Sequence, residues 1–457
     1  LNLNAVLADL GNLTLSMERR SGDFQDLQGR STGTTTSGIR LDGQLNLDKF
    51  LPEAWHMSIP VRVSYNRNSS VPRIRTGSDI VLTSEQKANE SDVRSSSRFN
   101  LSFRKRPAPE KPTLLARLFF DRINASLNYS TNNTVGGAIT RRRSNSTDNL
   151  NGNFGYDLNW STRKPLNIFG WVPLFKPIKE AEFFYLPSNL GYSARFTRNV
   201  RDQQSFSAAA GDTSDVIANI NETFSLNETY KIKLAPFRSV TADYDLAVDR
   251  DLRNGFVLTQ LQFGRETRRN QRVAFGFSPR LTRYFTLNTQ YSSTYAENLE
   301  TGGQKTPIGN VRRGLKVNNN NTANVRFSLN LPTIFQPLAR PGKGGISLRR
   351  IIGKLGSSLD ALQTNASRSR SNNLFGLRSR PSLKFQLGLK DTAEVEVFPS
   401  GGVTRINTRN ITDRAGLNGG LRLPLGLSVQ AGANYTHTWT HGNANTEDEN
   451  IALPTVS

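Results

Sequence analysis

Cysteine is absent from all 457 residues, which removes disulfides, thiolate metal sites, iron–sulfur clusters and cysteine nucleophiles together. Three histidines and two methionines leave little for metal chemistry that needs imidazole or soft ligands. No run of about 18 apolar residues occurs, so the sequence encodes no membrane-spanning helix. A strand-built barrel is untouched by that absence, because only alternate residues of its strands need be apolar. Acidic residues are outnumbered, 37 Asp and Glu against 59 Lys and Arg, for a net charge of +22. At 36% hydrophobic the chain is poor in core-forming residues. It begins at Leu1 and ends at Ser457 in a polar stretch, and we expect it to be part of a longer polypeptide.

What the sequence does contain is alternation. Ile39, Leu41, Gly43, Leu45 and Leu47 interleave with Arg40, Asp42, Gln44, Asn46 and Asp48. The same two-residue period runs through Ile59 to Tyr65, Phe99 to Phe103, Ile123 to Tyr129, Phe154 to Trp160 and Leu190 to Phe196. It recurs at Tyr244 to Val248, Val273 to Phe277, Phe285 to Tyr291, Val325 to Leu331 and Leu427 to Tyr435. Period two is the strand period, so each segment, eight to fourteen residues long, has one apolar and one polar face. A strand of about 9–11 tilted residues crosses the hydrocarbon of a bilayer, and no second helical layer is available to cover these ribbons. The expected fold is all-β: long antiparallel strands forming part of a large transmembrane outer-membrane β-barrel, greasy outside and wet inside.

Long polar loops are expected near 68–97, 131–149, 200–221, 296–321 and 390–412, with shorter ones near 235–239, 250–256, 266–271 and 279–283. One short amphipathic loop helix is expected near 346–356, where Ile346, Leu348, Ile351, Ile352 and Leu355 fall at helical spacing beside Arg349, Arg350 and Lys354. Non-strand excursions are placed near 68–97, 163–187 and 332–356, the second carrying Pro165, Pro173, Pro177 and Pro187. Tyr156 with Trp160, Tyr291 with Tyr295, and Tyr435 with Trp439 are assigned to interfacial aromatic girdles.

Candidate chemistry is thin. His437 and His441 lie four residues apart on one strand parity, about 13 Å, too far to share a metal. Asp243, Asp245, Asp249 and Asp251 form a one-sided stripe without the glycine and terminal glutamate of a calcium loop. It reads as a solvated stripe facing arginines on a neighbouring strand. Gly342 to Gly345 and Gly353-Lys354-Leu355 lack phosphate-loop spacing, and G-x-S-x-G is absent. No enzyme, cofactor or metal is expected. The arginine clusters Arg141 to Arg143, Arg265 with Arg268 and Arg269, and Arg349-Arg350 admit a soluble nucleic-acid- or polysaccharide-binding protein as a rival. They sit at strand ends and loops outside any recognised nucleic-acid module, so no nucleic-acid partner is expected.

Certain islands are more specific. They are Ala8-Asp9-Leu10-Gly11-Asn12, Phe50-Leu51-Pro52-Glu53, Ser58-Ile59-Pro60-Val61 with Tyr65, and Gly77-Ser78-Asp79-Ile80. Two more follow, Phe184-Tyr185-Leu186-Pro187-Ser188-Asn189-Leu190 and Pro381-Ser382-Leu383-Lys384-Phe385-Gln386-Leu387-Gly388. In that order they resemble the membrane region of the SprA (Sov) family. The resemblance implies an outer-membrane translocon of the type IX secretion system in a diderm bacterium, associated with gliding motility and exporting folded proteins to the cell surface. It implies as partners the rest of the barrel chain, secreted cargo, gating or plug proteins and outer-membrane lipid. Another outer-membrane transport barrel, porin-like or lipid-exporting, is the alternative.

Overall fold

A computed structural model describes residues 1–22, 33–75, 80–105, 122–138, 141–160, 164–167, 182–207, 215–257, 262–279, 282–299, 304–305, 311–312, 314–339, 348–398, 407–422, 428–442 and 446–456. The alternating segments become strands, because apolar residues on one parity and small polar ones on the other suit a pleated ribbon.

The chain divides into two compact units. The first comprises Leu1–Leu158, Tyr192–Glu228 and Asp249–Arg265. Its strands are β1 (Asn2–Leu7), β2 (Gly11–Arg20), β3 (Thr34–Asn46), the short β4 (Met57–Ser58), β5 (Pro60–Pro72), β6 (Asp92–Lys105), β7 (Ile123–Ala138) and β8 (Arg141–Asn159). They pair antiparallel as a meander from β1 to β8, with β4 alongside β6. A helix, α1 (Ser84–Asn89), interrupts the β5–β6 connection. Thr83 caps it by accepting from the Gln86 N–H, while the Gln86 side chain accepts from the Thr83 N–H.

The strands β9 (Asn189–Ser207), β10 (Asp215–Phe237), β11 (Val240–Val257) and β12 (Gln262–Phe277) contribute residues to both units.

The second unit comprises Asn159–Gly191, Thr229–Val248 and Glu266–Ser457. It adds β13 (Phe285–Leu299), the two-residue pair β14 (Gln304–Lys305) and β15 (Val311–Arg312), β16 (Leu315–Leu329), β17 (Leu362–Leu377), β18 (Thr408–Arg422), β19 (Ser428–His441) and β20 (Thr446–Val456). From β12 the antiparallel order is β13, β16, β17, β18, β19, β20. A helical hairpin, α2 (Leu331–Ala339) and α3 (Leu348–Ser358), leaves β16 and returns to β17. A single turn, α4 (Leu383–Gln386), lies between β17 and β18.

Several expected loops are strand instead. The stretch 131–149 is the β7–β8 hairpin, paired as far as Ala138 opposite Arg141. Residues 250–256 lie inside β11 and 266–271 inside β12. β9 runs to Ser207 and β10 starts at Asp215, so little of 200–221 is connection. β13 continues to Leu299 and β16 starts at Leu315, shortening the 296–321 loop. Strands reach 19 residues in β8 and β9, longer than the apolar alternation that announced them, and 23 in β10, where no alternating segment was expected. The physical reason is that both parities turn polar toward these strand ends, while the backbone ladder needs no apolar side chains to continue. The helix at 348–358 matches the expected one, whereas α1, α2 and α4 carry no clear periodic signal.

Among the described residues the buried apolar side chains are few: Leu82, Leu158, Val248, Leu252, Tyr295, Val317, Leu377 and Phe385. The one cluster among them, Tyr295, Val317, Leu377 and Phe385, sits in the second unit. No helix among the described residues is long and apolar enough to cross a membrane.

One glycine is fixed by a close backbone approach. A Cβ on Gly11 would collide with the Gln44 carbonyl oxygen of β3. Gly11→Ala is therefore expected to cost about 1–3 kcal/mol through forced backbone displacement, read as a lowered denaturant midpoint. An unchanged midpoint would show that the β1–β2 turn adapts freely.

Candidate functional site: the two sheet faces and an inserted strap

Cross-strand register decides what each face presents. In the first unit one row runs Leu45, Val61, Leu101, Leu127, Gly152 across β3, β5, β6, β7 and β8. The next row runs Leu13, Gly43, Val63, Phe99, Tyr129, Leu150. Gly152 keeps its place in the first row because the Phe196 ring occupies the space its Cβ would need. On the opposite face the adjacent row reads Gln44, Arg62, Asn100, Asn128, Asn151. There Arg62 Nε donates to Gln44 Oε1 at 3.2 Å, Asn153 Nδ2 donates to Ser126 Oγ at 3.3 Å, and Asn100 hydrogen-bonds Asn128.

The second unit repeats the plan. Its apolar face carries Phe277, Thr289, Val325, Ala366, Ala415, Tyr435, then Leu287, Phe327, Thr364, Leu417, Ala433, then Phe285, Leu329, Leu362. Its polar face carries Asn288, Arg326, Asn365, Gly416, Asn434 and Gln290, Asn324, Ser367, Arg414, Thr436. Ser371 Oγ donates to Asn320 Oδ1 at 2.6 Å, and Thr412 and Thr438 hydroxyls lie 3.4 Å apart.

The apolar rows are not covered. Leu13 is 43% exposed, Val63 42%, Val325 40% and Leu417 45%. Contiguous bare apolar surface of this extent requires an apolar neighbour, and acyl chains supply one. The band is finite. From Phe285 to Tyr291 it covers about 20 Å of strand, after which the same parity turns polar at Ser293 and Glu297, opposite Asn321 and Val317. In the first unit it ends where Tyr65 meets Ser97, Thr131 and Asp148.

Beyond the band in the second unit, the segment from Arg378 to Leu389 folds back as a strap over β13, β16 and β17. Phe385 is fully buried against Tyr295, Val317 and Leu377. Tyr291 Oη donates to Leu387 O at 2.6 Å, Ser293 Oγ to Gln386 O at 3.1 Å, and Gln386 Nε2 to Pro381 O at 2.8 Å. Arg370 donates to Gly388 O and Asn319 to Phe385 O. Gly388 has φ 73° and packs against Asn321 and the Tyr291 hydroxyl, where a Cβ has no room. Arg380 grips Glu297 with Nε and Nη2, both at 2.9 Å, and also pairs with Glu266. Hydrogen bonding to Glu297 holds its guanidinium pKa above the usual range. This strap corrects the girdle assignment of Tyr291 and Tyr295: Tyr295 is 1% exposed and donates to Glu297 at 2.7 Å, beneath protein rather than beside lipid. Trp439 likewise lies past the band, stacked on His441 at 5.6 Å with Arg409 over its ring at 5.7 Å.

The resemblance residues fall in distinct places. Asp9, Leu10 and Gly11 form the turn between β1 and β2, and Asn46 Nδ2 donates to Asp9 O at 3.3 Å. Phe50, Leu51, Pro52 and Glu53 belong to two consecutive turns after β3, and Pro60 opens β5. The Ile59 N–H donates to Asp48 Oδ1 at 3.1 Å and Leu47 N–H to Ile59 O at 3.0 Å, so these three islands meet at one end of β1, β3 and β5. Phe50 and Trp55 stand exposed there, at 65% and 51%. Ile80 O accepts from Arg75 N–H at the other end of β5, and Asp79 lies outside the described residues. Tyr185, Leu186 and Pro187 precede β9, where Phe184 and Ser188 N–H donate to Pro236 O and Lys233 O. Of the 163–187 excursion only 164–167 and 182–187 are described, joined by the Leu166–Phe183 bridge. Pro381, Leu387 and Gly388 are the strap itself. Residue spacing alone gave no sign that Arg380, Glu297 and Glu266 would meet.

In the aspartate stripe two members have described side-chain partners. Asp251 pairs with Arg253 two residues along its own strand, at 2.6 Å, and Asp249 bonds Asn227. The cross-strand pair there is Arg250 with Glu228 at 2.9 Å.

Comparison with known proteins gives one family and several folds. Residues 1–85 match the family model SprA_N, described as a motility related/secretion protein. No curated protein matches the chain. Among solved structures, the copper transporter OprC aligns with 100% of this chain and 61% of its own, at 10% identity and a TM-score of 0.31. The alcaligin outer membrane receptor FauA from Bordetella pertussis aligns with 99% of this chain and 75% of its own, at 9% identity and 0.32. BamA from Haemophilus ducreyi lacking POTRA domains 1-3 aligns over 97% and 74%, at 9% identity and 0.21. The chain thus spans less than two thirds of the copper transporter it matches. The match to the motility related/secretion protein model is confined to the first 85 residues, which carry the Asp9–Gly11, Phe50–Glu53, Ile59–Pro60 and Asp79–Ile80 islands.

Proposed function

We propose that the chain is part of the wall of an outer-membrane barrel in a diderm bacterium, passing folded proteins to the cell surface in type IX secretion and gliding motility. The observation that carries this reading is the register itself: uncovered apolar rows on one face, and on the other rows dominated by Asn, Ser, Thr, Gln and Arg. A wall of small polar groups offers a moving protein few apolar contacts, so cargo slides past without being held. The role is conduction without catalysis, and it needs no cofactor. Energy and gating come from partner proteins, while the rest of the barrel chain and outer-membrane lipid complete the surroundings.

The test is a photo-cross-linker placed in the intact parent protein in cells. At Asn100 and Asn128 it is expected to capture secreted proteins, and at Leu101 it is not. A parent that captures no secreted protein from Asn100 or Asn128 while secretion proceeds would contradict the export reading, leaving a different transport barrel.

A further inference from the structure

The helical hairpin breaks the usual rule for amphipathic helices. In α3 the aliphatic stripe Leu348, Ile351, Ile352 and Leu355 has the i, i+3, i+4, i+7 spacing that normally seals a helix onto its protein. Here it points away. Leu348 is 75% exposed, Ile351 and Ile352 45% each, and Leu355 60%. Among the described residues of α3 the buried positions are instead Gly353 and Gly356. Gly356 lies directly under the Phe335 ring of α2, leaving no room for a Cβ. α3 thus packs through glycine and leaves its greasy stripe uncovered.

Two further observations say what covers it. The hairpin leaves the sheet two residues after Leu329 and returns just before Leu362, and Phe285, Leu329 and Leu362 form the last row of the apolar face. Both ends of the hairpin therefore connect to the band's edge in the same unit. From Leu331 to Leu359 the sequence has five basic residues (Arg340, Lys343, Arg349, Arg350, Lys354) and no acidic one. An apolar stripe flanked in sequence by cations, on a hairpin rooted at the edge of a lipid-facing band, fits an anionic phospholipid leaflet.

We propose that α3 lies in the interfacial layer of the membrane, with Leu348, Ile351, Ile352 and Leu355 among acyl chains and Lys354 at phospholipid headgroups. The hairpin pins the edge of the wall to the leaflet at that level. This rests on the membrane-wall reading, and the experiment separates the two.

Because the chain has no native cysteine, single cysteines can be labelled with an environment-sensitive fluorophore at Ile352, Lys354 and Phe327. The intact parent protein is reconstituted in vesicles of phosphatidylethanolamine and phosphatidylglycerol, with and without brominated acyl chains. Brominated lipid is expected to quench the Ile352 label by about twofold or more and the Lys354 label much less. Quenching of Ile352 by aqueous iodide but not by brominated lipid overturns the proposal. Protection from both quenchers also overturns it, placing a protein surface over α3. Quenching at Phe327 without quenching at Ile352 sinks this inference alone, whereas no lipid quenching at Phe327 sinks the membrane-wall reading. Replacing phosphatidylglycerol by phosphatidylcholine is expected to reduce quenching at Ile352 and leave Phe327 unchanged; equal quenching in both removes the headgroup part of the proposal.

Discussion

Val325→Arg is expected to destabilise the bilayer-embedded protein by about 2–4 kcal/mol, and Asn324→Arg by a small fraction of that. Val325 stands in the apolar row between Thr289 and Ala366. It is 40% exposed. A guanidinium there must sit in hydrocarbon or drag water in. Asn324, one residue away, lies between Gln290 and Ser367 on the wet face, where arginine is already tolerated at Arg326 and Arg414. The two substitutions add the same charge to the same strand, so net charge cancels from the comparison, and the difference in strand propensity between Val and Asn, about 1 kcal/mol at most, is smaller than the expected effect. Denaturant unfolding in phospholipid vesicles reads the difference. Equal costs at both positions would mean that neither face meets lipid.

Phe385→Ala is expected to cost about 3–5 kcal/mol of strap stability, as for other large buried aromatics. The ring is fully buried and is the centre of the one apolar cluster among the described residues. Its loss leaves a void between Tyr295, Val317 and Leu377 and removes the contact that holds Gln386 and Leu387 against Ser293 and Tyr291. Arg380→Ala acts in the same direction by leaving the nearly buried Glu297 carboxylate without its cation. Its cost is smaller, because the Arg380 side chain is already 36% exposed. The readout is limited trypsin digestion of the membrane-embedded protein. Cleavage after Lys384 or Lys390 should accelerate in both variants, more for Phe385→Ala, while the sheet still unfolds near its original denaturant concentration. Unchanged cleavage in Phe385→Ala would show that the strap is held by its backbone and polar contacts alone.

The two faces were legible wherever the apolar band lies, because only a strand puts Phe99, Leu101 and Phe103 on one side and Asn100, Ser102 and Arg104 on the other. Past the band the signal disappears. Thr131, Asn133, Ser146 and Asp148 share the apolar face's parity but are polar, so β7 and β8 read as a loop while their ladder continues unbroken. The strap was recognisable only as a run of residues, Pro381 to Gly388, resembling a family. Its docking onto β13 joins positions 96 and 93 residues apart (Tyr291 to Leu387, Ser293 to Gln386), and no local period encodes such a contact. For the same reason the tyrosines at 291 and 295 have the spacing of an interfacial girdle, and only the strap explains why Tyr295 is sealed. The helix at 348–358 was visible from its stripe. That the stripe faces outward depends on Gly353 and Gly356 against α2, a long-range fact.

The most direct test of the central claim uses β6. Six single-cysteine variants, at Phe99, Asn100, Leu101, Ser102, Phe103 and Arg104, are placed in the intact parent protein in native membranes and exposed to a membrane-impermeant, water-borne thiol reagent. Reaction should alternate, fast at 100, 102 and 104 and slow at 99, 101 and 103, with hydrophobic reagents showing the reverse preference. Uniform reaction at all six positions, or protection of the even ones, would contradict a wall with lipid on one side and water on the other.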